Sequence, residues 1–110
     1  MIQAKASVSK AYVPSTTYRT RYATVYGLIL PRHYTAGSTR IYFEHWEAYK
    51  GKYQWRYKFY RTASLTSSGS YAKASTVVKF PYAGKWRVYV RHADTSHYAT
   101  YGSYGYTTTR

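Results

Sequence analysis

From Lys85 to Arg91 the sequence alternates apolar and polar side chains without a miss. Trp86, Val88 and Val90 face one way, and Lys85, Arg87, Tyr89 and Arg91 the other, which is the period of a half-buried β-strand. Pro81 and Gly84 mark its start, and the alternation is expected to end at His92. The same two-residue period recurs along the chain. Val8 to Val13 stops at Pro14, and Tyr18 to Leu30 stops at Pro31, with Ala23, Val25, Gly27 and Ile29 on one face. Thr39 to Tyr49 turns at Lys50-Gly51, a tight hairpin signal, into Tyr53, Trp55, Tyr57 and Phe59 on one face. The stretch 62–70, TASLTSSGS, reads as a loop. Ala72, Ala74, Thr76, Val78 and Phe80 form a further face, and a last strand lies near 103–109. No segment carries a helical period. Evenly spaced short strands without helices predict an all-β sandwich or barrel of about seven antiparallel strands.

At 110 residues the chain fits one domain, expected over residues 6–109 with 1–5 as a linker or disordered start. Aliphatic side chains are few, so the 17 tyrosines are expected to supply much of the buried surface, with their hydroxyls at the rim. Lys and Arg number 17 against three acids, Glu44, Glu47 and Asp94, a net charge of +14 that attracts polyanions. Nucleic acid, anionic cell-wall polymers and phospholipid surfaces all qualify. With no cysteine, a disulfide framework and a zinc ribbon are excluded. No run approaches the ~20 apolar residues of a membrane-spanning helix. Met1 to Lys5 is no signal peptide, so an exported natural protein would contain this chain as an internal piece.

Two stretches carry a family resemblance. Residues 81–99, PYAGKWRVYVRHADTSHYA, resemble the penultimate stretch of bacterial immunoglobulin-like repeat domains: a proline, a glycine, an aromatic, an alternating strand, then an aspartate before an aromatic. Residues 24–47, TVYGLILPRHYTAGSTRIYFEHWE, are similar to tandem repeats of large actinobacterial cell-surface and cell-wall-associated proteins. The resemblance spans residues 6–109, with the pieces in the same order. It implies an Ig-like β-sandwich, extracellular or at the cell surface, with neighbouring repeats of a parent protein as partners. This chain departs from the pattern in its many tyrosines and in standing alone. Fold likeness by itself assigns no function.

His92, Asp94 and His97 have the side-chain types of a zinc site within six residues. The resemblance places them in the loop after the penultimate strand, where Asp94 would accept backbone N–H bonds of a turn. The turn is the preferred reading, and no metal or other cofactor is expected. Catalysis finds no better support. Glu44 and Glu47 are three apart, on opposite faces of a strand, so they cannot share a substrate. There is no nucleophile elbow and no phosphate-binding glycine loop, and His33 and His45 show no acid–base partner in sequence. Glu44, on one face with Arg40, Tyr42 and Trp46, is expected among cations, with Arg56 and Lys58 on one side and Arg87 and Arg91 on the other.

The remaining signal is a cationic, aromatic sheet face made of Arg40, Tyr42, Arg56, Lys58, Tyr60, Lys85, Arg87, Tyr89 and Arg91. Cations beside stackable rings suit anionic wall polymers or glycans, since guanidinium pairs with phosphate and rings stack on sugar faces. They also suit single-stranded nucleic acid, though no RNP or OB signature accompanies them. The expectation is a non-catalytic structural or adhesive module that contacts an anionic wall polymer or glycan; nucleic-acid binding through the same face is the alternative.

Overall fold

A computed structural model of the chain describes residues 4–5, 7–30, 37–94 and 97–110. It is an all-β sandwich of two sheets. The long strands are β4 (Ala23–Leu30), β5 (Gly37–Tyr49), β6 (Lys52–Thr62), β8 (Tyr71–Val78) and β9 (Gly84–Asp94). Shorter pieces are β1 (Ala4–Lys5), β2 (Ser7–Val8), β3 (Thr16–Thr17), β7 (Ser64–Ser68), β10 (His97–Tyr101) and β11 (Gly105–Thr109). One sheet runs β2-β4-β8-β7. The other runs β6-β5-β9; beyond β9, β10 pairs with one half of it and β11 with the other, flanked by β1 and β3.

The eleven strand segments among the described residues exceed the expected number for three reasons. The N-terminal segment changes sheets. β1 and β3 lie parallel to β10 and β11, whereas β2 and Tyr12 pair with β4 in the opposite sheet. Gly105 makes this crossing feasible, because a Cβ there would collide with the Ala11 carbonyl oxygen. The last strand is broken at Gly102-Ser103-Tyr104, leaving two collinear halves. Finally, residues 64–68 are a strand rather than a loop. The chain leaves β6 at the buried Ala63, whose N–H donates to the Thr39 carbonyl at 2.9 Å, and continues as β7 against β8.

The inward residues of the alternating runs form one core. Val25, Ile29, Ile41, Phe43, Phe80, Trp86, Val88 and Val90 are fully buried, with Ala72, Ala74 and Val78 beside them. Phe59 stacks on Phe43 at 4.5 Å, and Trp86 meets Phe80 edge-on at 5.5 Å. Gly27 lets β4 approach β9 closely, since a Cβ there would stand 2.6 Å from Val90 Cγ2. Tyrosine contributes little to this core, contrary to the sequence expectation. Among the described residues no tyrosine is fully buried and twelve are exposed. Each phenol hydroxyl keeps its water when the ring stays on an outer face, and the core closes with aliphatic, Phe and Trp side chains alone.

The hairpin at Lys50-Gly51 is present, with φ of 51° and 80°. Two consecutive left-handed residues match the twist of the strands they join. β9 does not end at His92 but continues to Asp94. His92 keeps the inward alternation as a buried polar residue, its Nδ1 2.6 Å from the Thr39 hydroxyl.

Candidate ligand-binding face

The outer face of the β6-β5-β9 sheet gathers most of the side chains singled out in sequence. Register pairs place Arg40 opposite Arg91, Tyr42 opposite Tyr89, and Glu44 opposite Arg87. Tyr60 stands opposite Tyr42 from β6, and Lys85 lies further along β9, opposite Thr108. Arg56 and Lys58 do not join them. A bulge on β6 lets Phe43 pair with Phe59 and Glu44 with Tyr57, so Lys58 is the extra residue. Beyond the bulge the alternation is inverted. Tyr53, Trp55 and Tyr57 lie outward, whereas Arg56 pairs with the inward-facing His45 and caps the Tyr49 ring at 3.5 Å. Period-two counting through an unseen bulge puts every later side chain on the wrong face.

The inversion builds something the sequence reading did not contain. Tyr42 stacks on Tyr89 at 5.2 Å and touches Tyr57 and Tyr60 at 6.0 and 5.8 Å. Tyr89 meets Tyr101 at 6.0 Å and Tyr104 at 5.4 Å. Tyr104 leads to Tyr106 at 6.3 Å, Tyr106 to Trp55 at 5.9 Å, and Trp55 to Trp46 at 5.2 Å. With Tyr53 against Trp46 at 6.2 Å, ten rings form one connected network among the described residues. Arg87 ties it together. Its guanidinium lies 4.7 Å from the Trp55 ring and 4.0 Å from the Tyr104 ring, and its Nε donates to the Glu44 carboxylate. Arg40 covers the Tyr60 ring at 4.4 Å. Burial pushes the Tyr89 phenol up to about 12, reinforced by the Glu44 charge and by Tyr104, Tyr42 and Tyr101. Tyr89 is thus a neutral centre for the face.

A second cluster sits where the β5–β6 hairpin leaves the sandwich. Lys58 Nζ donates to Glu47 at 2.7 Å, the other Glu47 oxygen is 2.8 Å from His45 Nδ1, and His45 Nε2 is 2.8 Å from the Ala83 carbonyl oxygen. The hydrogen bonds from Lys58 and then His45 hold the Glu47 carboxyl below its usual range. His45 and Glu47 are two apart in a strand, hence on one face, and that spacing is the sequence signal for a pair that gives His45 an acidic partner. Both imidazole nitrogens already face acceptors, and neither is open to a substrate proton. The cluster fastens the hairpin to the segment before β9.

Asp94 and His97 are register partners across β9 and β10, but their side chains and the whole of His33 lie outside the described residues. Among the described residues no group of three His, Cys, Asp or Glu side chains is arranged to hold a metal ion, and no helix is long and apolar enough to cross a membrane. Neither a protein-family model nor a curated protein matches this chain.

Proposed function

We infer that the protein is a non-catalytic Ig-like module of an extracellular or cell-wall-associated bacterial protein, and that its outer tyrosine face binds an anionic wall polymer or glycan. The strand orders support the first half. Read as A, B, E and D, β2-β4-β8-β7 has the order of one immunoglobulin sheet; β5, β9 and the split β10/β11 correspond to C, F and G, with β6 as an added neighbour of C.

The ring network carries the second half. Ten contacting aromatics on an outer sheet face are more than the fold needs, because the core closes without them. Cations stand along the same face. Arg40 and Arg91 are directly opposite each other, an arrangement that like-charge repulsion disfavours and a bound anion relieves. Lys85 lies six residues from Arg91 along β9, about 20 Å at the strand rise of ~3.3 Å per residue. An extended polyanion laid along β9 meets Lys85 at one end, Arg91 at the other and the Tyr89 ring between them.

Titrating a labelled anionic polysaccharide and a single-stranded oligonucleotide at two salt concentrations tests this reading. The polysaccharide is expected to bind, with affinity falling steeply as salt rises. The pair Arg40→Gln and Arg91→Gln is expected to weaken it, as is Tyr101→Ala, without lowering the melting temperature. Absence of polysaccharide binding at physiological salt overturns the reading. Salt-resistant preference for single strands, lost in Tyr101→Ala, would assign the face to nucleic acid instead.

A further inference from the structure

We propose that the cleft beneath Trp55, at the Lys85 end of the face, is a subsite for one carboxylated sugar unit, a hexuronic acid within an acidic polysaccharide. This rests on the polyanion reading above and adds to it the ligand's chemical class and the place where it is recognised.

The cleft lies where the Trp55 side chain crosses towards the far strands of the sheet. Trp55 belongs to β6, two strands from β9, yet its ring lies beside Arg87 and reaches Tyr106 of β11. The depression beside this pair of touching rings has a volume of about 450 Å³, within the ~300–1,000 Å³ typical of small-molecule sites. Trp55 and Tyr106 form one corner of it, and Lys85, Ser15 and Thr108 are among its other lining residues.

Each lining group fits an acidic pyranose. The Trp55 and Tyr106 planes are inclined at 57°. A flat nucleobase can stack on one of them only, whereas a puckered ring presents C–H groups to two inclined walls. Lys85 supplies a single compact charge, suited to one carboxylate. Arg87, the group best shaped to grip a phosphate with two parallel bonds, is already held by Glu44 between Trp55 and Tyr104. It fixes the aromatic wall and leaves the anion to Lys85. The hydroxyls of Ser15 and Thr108 can donate to or accept from sugar hydroxyls.

Calorimetric titration of the full chain tests the subsite. The probes are an oligogalacturonate, its fully methyl-esterified form, and an oligonucleotide of equal charge. The variants are Lys85→Gln, Tyr106→Ala and, as a charge-matched control on the opposite sheet, Lys73→Gln. Lys85 and Tyr106 are exposed, so folding should survive, and unchanged melting temperatures verify that. The expected result is that Lys85→Gln and Tyr106→Ala each weaken oligogalacturonate binding about tenfold or more, while Lys73→Gln changes it less than about twofold. The ester should bind weakly to all. Equal losses in Lys85→Gln and Lys73→Gln overturn the subsite and leave a diffuse polyanion face standing. Equal affinity for acid and ester overturns the carboxylate assignment, and a preference for the oligonucleotide overturns the sugar. Binding to none of the probes removes the subsite and the polyanion reading together.

Discussion

Arg87 Nε donates to the Glu44 carboxylate across β5 and β9, and the same guanidinium lies between the Trp55 and Tyr104 rings. Both side chains of the pair are largely covered, at 21% and 15% exposure, so salt screens it little. Glu44→Ala, which removes the acceptor altogether, should therefore cost about 1.5–3 kcal/mol, the range for a hydrogen bond to a charged group. Urea unfolding measures it. A variant with an unchanged midpoint at constant slope would mean that Arg87 is held by the rings alone.

Trp86→Ala should be far more damaging. The indole is fully buried against Phe80, Phe59 and His45, and its Nε1 donates to the Tyr82 carbonyl at 2.8 Å. Truncation of a core tryptophan costs about 3–5 kcal/mol, and a domain of ordinary marginal stability is then partly unfolded. Thermal melting followed by near-ultraviolet circular dichroism reports it.

Lys50 occupies the left-handed region at φ 51°, a conformation that disfavours a side chain with a Cβ. Replacing it with Asn, which tolerates that region, completes the preferred Asn-Gly hairpin turn. Lys50→Asn should raise stability by up to about 1 kcal/mol, a part of the ~1–2 kcal/mol left-handed penalty. Lys50→Val should lower it. The melting temperatures of the two variants should move in opposite directions.

Two groups shape the pH dependence. Burial raises the Tyr89 phenol to about 12, so its protonated form is favoured by folding. That contribution is complete below the ordinary tyrosine value of 10.0 and is lost as the pH climbs from there towards about 12. In a phenolate absorbance titration Tyr89 should be among the last to ionise, and Tyr89→Phe should remove that late component. Glu47 acts at the acid end. Its folded value lies below 4.5, so its contribution is present above that and is lost as the pH falls through the folded value. Glu47→Gln should flatten the acid limb of stability against pH.

The core was legible because it obeys period two. Val25, Ile41, Val78, Phe80, Trp86, Val88 and Val90 all follow from alternation and all are buried. β7 was not legible. Its Ser and Thr side chains carry a loop signature, and only backbone pairing with β8 and the packing of Leu65 make it a strand. The candidate face was half legible. On β9, where the period is unbroken, Lys85, Arg87, Tyr89 and Arg91 follow the outward alternation that the sequence indicates. On β6 the bulge at Lys58 sends Arg56 and Lys58 to the other face and turns Trp55 and Tyr57 outward. No residue type announces a bulge of this kind, since it arises from how two strands pair rather than from either strand alone.

Among the described residues β6 pairs only with β5, which leaves one side of an eleven-residue strand with its backbone groups unclaimed. Such a rim invites a second molecule to extend the sheet indefinitely. Here the rim carries Lys52, Arg56, Lys58 and Arg61, and the extra residue at Lys58 disturbs the even spacing that a docking strand would need. Two copies approaching edge to edge would bring these cations against one another. The same positive charge that would attract a polyanion to the outer face therefore also opposes edge-to-edge pairing of two copies at this rim.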